Sequence, residues 1–148
     1  MIEQYSRVIT YKLAKILDNH LFSELSDYKY SAQDNLIVTW DNYLGTKTFN
    51  EGELIEDGDY IHGKYYYAPL YCEVLDWLED KFNIIIELSP VYTFSTINRL
   101  AYFYKVYLKD DETSSLKLIL KDEEWFSSFT FLFENIIQEL IDKEYIKL

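Results

Sequence analysis

The sequence predicts an α+β fold: an antiparallel sheet of about four to five strands packed against two to three helices, with residues 1–148 forming one domain. Three observations carry this expectation. Residues 68–83 have helical periodicity and run directly into the apolar stretch Ile84–Leu88. Residues 101–121 read as two alternating strands around a polar turn. Apolar residues recur at helical spacing from Phe129 to Ile141.

Taken in order, Ile9, Leu13, Ile16, Leu17 and Leu21 recur at three- and four-residue steps, which predicts a helix over 6–22 with Ser6 as its N-cap. The pattern breaks over 23–30. Leu36–Trp40 is short, β-branched and aromatic, as strands are. Residues 41–59 hold three of the four glycines, Gly45, Gly52 and Gly58, and five acids lie between Glu51 and Asp59. This reads as solvated loop with one short strand near Thr46–Phe49. Order resumes at Tyr60–His62 and Lys64–Tyr67, read as one strand with Gly63 as a bulge or bend.

Pro69 suits the first turn of a helix, where its missing N–H costs nothing, so the next helix is expected to start at Ala68 or Pro69. Leu70, Tyr71, Val74, Leu75, Leu78 and Phe82 form its buried stripe with Trp77 at the margin, while Glu73, Asp76, Glu79 and Asp80 face water. Ile84–Leu88 is expected as a central strand ended by Ser89-Pro90. In 101–109, alternation places Tyr102, Tyr104, Val106 and Leu108 on the core face and Phe103, Lys105 and Tyr107 on the other. After the turn 110–114, Leu116, Leu118 and Leu120 alternate with Lys117, Ile119 and Lys121. Ser127 or Ser128 then caps a last helix burying Phe129, Leu132, Phe133, Ile136, Ile137, Leu140 and Ile141.

At 148 residues the chain is long enough to bury about two-thirds of the surface it would expose unfolded. It is 49% apolar and 18% aromatic, with 15 Tyr and 9 Phe, so a net charge of -12 does not make it a disordered chain. Lys and Arg are scarce and interspersed with acids, which argues against direct nucleic-acid binding. Four Gly and two Pro build no phosphate cradle. The single Cys72 excludes an intramolecular disulfide and a cysteine-based metal cluster. No secretory pattern opens the sequence, and no apolar run reaches the roughly 20 residues of a membrane span. A soluble protein of the reducing cytoplasm is the expectation.

For chemistry, His20 and His62 lack metal-ligand spacing, and no nucleophile elbow is present. Cys72 near a helix start is a conceivable low-pKa thiol, but a packing cysteine explains it as well. Asp57-Gly58-Asp59, Asp110-Asp111-Glu112 and Asp122-Glu123-Glu124 offer carboxylate pairs for acid–base work or a cation, although none has the spacing of a calcium loop, and solvated turns are the commoner explanation. Tyr65 and Tyr67 share one strand face, and tyrosines anchor interfaces when they are not filling cores. No catalytic, metal or cofactor residue is assigned.

The residues Ala68-Pro69, Trp77-Leu78, Lys81-Phe82-Asn83-Ile84, the isoleucine-rich strand 84–88, Tyr102–Tyr107 and Phe126-Ser127-Ser128-Phe129 resemble the pattern of uncharacterised small proteins of tailed phages and prophages of gut Bacteroidota. The resemblance covers residues 65–142, roughly the second half. It departs from the pattern where a Glu-Glu pair is replaced by Thr130-Phe131, so Phe131 is expected to add to an exposed apolar patch with Trp125 and Phe126. No site residue carries over. The resemblance implies a phage-type accessory protein in a host cytoplasm.

Together these features predict a noncatalytic protein that binds a host or phage protein through an acidic and aromatic surface: Glu73, Asp76, Glu79, Asp80, Tyr65, Tyr67 and Phe131. A sharper version is an acidic inhibitor of a host nucleic-acid-handling or defence system. A virion or assembly component, with homo-oligomerisation open, and a small carboxylate enzyme are the alternatives. Neither nucleic acid nor membrane is an expected direct partner, and no cofactor is expected.

Overall fold

The computed structural model describes residues 3–18, 20, 27–40, 45–56, 60–92, 100–121 and 128–148. These form an α+β chain with antiparallel strands, as the sequence predicts, but the strands divide among three three-stranded sheets. The chain separates into two compact units, Met1–Tyr71 and Cys72–Leu148.

The first unit opens with a 3-10 turn, Glu3–Ser6, and helix α1, Tyr11–Leu17. The helix is shorter than its periodicity suggests. Arg7 to Ile9 are tied to the chain ahead of the next helix: the Ile9 N–H donates to the Pro69 carbonyl, the Tyr71 N–H donates to the Arg7 carbonyl, and Val8 bridges Leu70. Thr10, not Ser6, is therefore the N-cap, accepting from the Leu13 N–H, and Asp18 in the left-handed region closes the helix.

Strands β1 (Tyr28–Ser31), β4 (Leu54–Glu56) and β6 (Tyr65–Tyr67) make one sheet in the order β4-β1-β6. β2 (Leu36–Thr39), β3 (Thr46–Phe49) and β5 (Tyr60–His62) make another in the order β3-β2-β5. Two of these strands, β1 and β4, lie where the sequence reads as patternless or loop. Each is only three or four residues long, too short for alternation to show, and the acids around β4 hide the buried Ile55. The single strand expected over 60–67 is two strands in different sheets, and Gly63, at φ +134, is where the chain crosses between them.

On one face of the first sheet, Tyr30 and Tyr66 pack with Tyr11 of α1 at ring-centroid distances of 5.6 and 6.1 Å. The Tyr30 hydroxyl donates to the Ile9 carbonyl. From the other face Ile55 joins Leu36, Val38 and Phe49 of the second sheet in an apolar cluster flanked by Trp40 and Ile61. The first sheet is thus the middle layer of this unit.

The second unit contains α2 (Tyr71–Phe82), β7 (Ile84–Tyr92), β8 (Leu100–Lys109), β9 (Leu116–Lys121) and α3 (Phe129–Asp142), with sheet order β7-β8-β9. α2 starts two residues later than Pro69 suggests because Pro69 and Leu70 are held extended against residues 7–9. Trp77 is buried with Val74 and Leu78, whereas Glu73 is half-buried. Asn83 in the left-handed region turns the chain into β7. β7 is an edge strand, not a central one, and it continues through Pro90, which an edge tolerates.

The core face of this sheet carries Tyr102, Tyr104 and Val106, all buried as expected. α3 lies over it: the Phe129 ring is 5.8 Å from that of Tyr102, and the Tyr104 hydroxyl donates to Glu139 at 3.3 Å. Ser128 caps α3 by accepting from the Phe131 N–H, and Leu132, Phe133, Ile136, Ile137 and Leu140 are buried. Among the described residues no helix is long and apolar enough to cross a membrane.

Candidate protein-interaction surfaces

The helical spacing of α2 puts Asp76, Glu79 and Asp80 on its exposed side, as the sequence indicates; Glu73, one turn earlier, is partly covered. The acidic side is not uniformly free. Lys109, at the end of β8, reaches Glu79 at 3.8 Å, with both side chains well exposed, so the pair neutralises charge locally while contributing little to stability.

In the first unit, Tyr65 and Tyr67 stand on one face of β6 in edge-to-face contact, with centroids 5.3 Å apart and hydroxyl oxygens 3.2 Å apart. Lys29 of β1, opposite Tyr67, holds its ammonium 5.9 and 5.7 Å from the two ring centroids. A cation thus already lies over both rings. The shared hydroxyl hydrogen bond, followed by burial, raises the Tyr65 pKa. Phe131, in the first turn of α3, is 51% exposed. Trp125 and Phe126, expected beside it, lie outside the described residues, as do Asp57-Gly58-Asp59 and Asp122-Glu123-Glu124.

The surface that strict alternation misses is the outer face of the β7-β8-β9 sheet. Leu120 pairs with Val106 and Leu118 with Tyr107, so Ile119 is an extra residue in a β-bulge. The bulge reverses the facing of the strand. Leu120 goes to the core, while Leu116 and Leu118 emerge on the outer face with 52% and 44% exposure. There Ile85, Tyr107 and Leu118 form one cross-strand row, and Glu87, Lys105 and Lys121 form the next. Burial, followed by the nearby charge of Glu87, raises the Tyr107 pKa. One sequence signal marks the bulge: Ile119 is apolar at a position where strict alternation would match Lys117 and Lys121.

An open cleft of about 540 Å³ lies at the β8–β9 turn, lined in part by Asn83, Lys109, Asp110, Asp111 and Lys117. Two of these groups already serve the structure: Asp110 accepts from the Glu112 N–H in the turn, and Lys109 reaches Glu79. His62 contacts the Thr39 hydroxyl through Nε2 at 3.2 Å. Cys72 is half-buried in the first turn of α2. Among the described residues no group of three or more His, Cys, Asp or Glu converges as a metal site.

The chain is an α+β protein of two units built on three small antiparallel sheets, with half-buried tyrosines on β6 in the first unit and exposed apolar and acidic side chains in the second. No protein-family model, curated protein or solved structure matches it.

Proposed function

We propose that the chain is a noncatalytic accessory protein that acts by binding another protein. The observation that carries this reading is the pair Leu116 and Leu118, turned outward by the bulge at Ile119 beside Tyr107 and Ile85. Two half-exposed leucines next to a tyrosine on a sheet face supply the apolar centre that protein interfaces use. The test is affinity capture with the full tagged chain from a bacterial host lysate, alongside a Leu116→Asp/Leu118→Asp variant matched for stability. A stoichiometric protein partner retained by the parent and lost by the variant supports the reading. No partner refutes the reading, equal recovery from both rules out this face as its site, and recovery of the chain itself or of phage structural proteins favours an assembly role.

A second reading rests on the exposed Asp76, Glu79 and Asp80 of a chain with net charge -12. In it, α2 occupies the basic surface of a nucleic-acid-handling or defence protein in place of nucleic acid. Acids at three- and four-residue steps put charge every ~5 Å along the helix axis, wider than the axial phosphate spacing of a DNA strand. Asp76→Asn/Asp80→Asn would then abolish a salt-sensitive capture that the Leu116/Leu118 variant leaves intact.

A further inference from the structure

We infer that the outer face of the β7-β8-β9 sheet docks an acidic segment of a partner protein, anchored by its apolar side chains; this rests on the protein-binding reading above. The sheet places two kinds of group in adjacent rows. Ile85, Tyr107 and Leu118 make an apolar row, with Leu116 beyond it. The neighbouring row brings Lys105 and Lys121 directly opposite each other across the β8–β9 ladder, both exposed. Like charges so placed repel and destabilise the pairing.

The carboxylate closest in register is Glu87, directly opposite Lys105 on the other side. Among the described residues, neither Lys105 nor Lys121 has a carboxylate within ion-pair distance. Among the described residues, the row of Glu87, Lys105 and Lys121 carries one excess positive charge beside an apolar row, a local exception in a chain of net charge -12. An occupant carrying carboxylates one row from its aliphatic or aromatic side chains satisfies both rows at once.

Other occupants fit less well. Strand addition at β9 is opposed by the bulge at Ile119 and by Lys117 and Lys121, the features with which sheet edges resist pairing. A single-stranded nucleic acid could stack on Phe103 and Tyr107, but Glu87 stands in the same face and the chain's net charge repels phosphate. Net charge also sets a second copy of the chain against this one.

The experiment is selection of a random linear peptide library on the immobilised full chain, with binding mapped by amide shifts in the isotope-labelled protein. The expected result is enrichment of peptides that combine Asp or Glu with large apolar residues, shifting residues 103–109 and 116–121. Lys105→Glu/Lys121→Glu, checked for folding by circular dichroism, should weaken these peptides by about tenfold and select basic ones instead. Enriched peptides that lack an acidic excess and bind the double variant equally would overturn the acidic-partner inference while leaving the protein-binding reading in place. No enrichment, or shifts confined to other faces, would overturn both. An oligothymidylate that shifts the same residues more strongly than the peptides, or a sedimenting dimer that occupies the face, would also overturn the inference.

Discussion

Tyr11 donates its hydroxyl to Glu51 at 2.8 Å, joining α1 to the turn between β3 and β4 across 40 residues of sequence. The same ring lies under Gly52, where an added Cβ would meet it at 3.4 Å. The Glu51 N–H in turn donates to Asp34, and the Gly52 N–H donates to the Ser31 carbonyl. One side chain thus helps hold a turn whose local sequence reads as solvated loop.

Burial, then the hydrogen bond and charge of Glu51, push the Tyr11 pKa up to about 12 from its ordinary value of 10.0. The folded state favours the neutral phenol, so this contribution is complete below pH 10 and is lost as pH rises from 10 toward 12. Alkaline absorbance titration should show a late phenolate near pH 12 that disappears in Tyr11→Phe and titrates earlier in Glu51→Gln. Melting temperature should fall less steeply across that pH range in Tyr11→Phe than in the parent.

Gly63→Ala should be among the costliest single changes in the first unit. At φ +134 its Cβ would stand 2.6 Å from Gln33 Nε2 and 2.7 Å from Leu36 Cδ1, with Leu36 fully buried. Backbone strain and overpacking together predict a loss of about 3 kcal/mol in urea unfolding. Gly52→Ala, at φ +83 with an ordinary contact to the Tyr11 ring, should cost about 1 kcal/mol.

The bulge at Ile119 makes two leucines two residues apart differ in their effect. Leu120 is buried opposite Val106, so Leu120→Ala should destabilise by about 2–4 kcal/mol. Leu118→Ser, on the outer face, should change stability by no more than about 0.5 kcal/mol. Equal and large losses at both positions would mean that strict alternation holds and the bulge is absent.

The helix caps can be separated by single hydroxyl deletions. Thr10→Ala and Ser128→Ala each remove the acceptor for a first-turn N–H and should cost about 1 kcal/mol. Thermal or urea unfolding of the two variants checks this.

The features legible in the sequence alone are those confined to a single element. The faces of α2 and α3, the Ser128 cap, the core-facing Tyr102 and Tyr104 and the exposed Asp76, Glu79 and Asp80 follow from periodicities of 3.6 and 2, which side-chain geometry imposes within one element. Tertiary structure decided what depends on partners distant in the chain. Residues 7–9 are extended because residues 69–71 pair with them, overriding the helical spacing that runs through Ile9. Gly63 divides one apparent strand because β5 and β6 answer to different central strands. The outer face with Leu116, Leu118, Lys105 and Lys121 exists because one extra residue, Ile119, shifts the register against β8. Facing in a strand alternates residue by residue, so a single insertion into the ladder exchanges core for surface beyond it, and only the pairing with β8 locates that insertion.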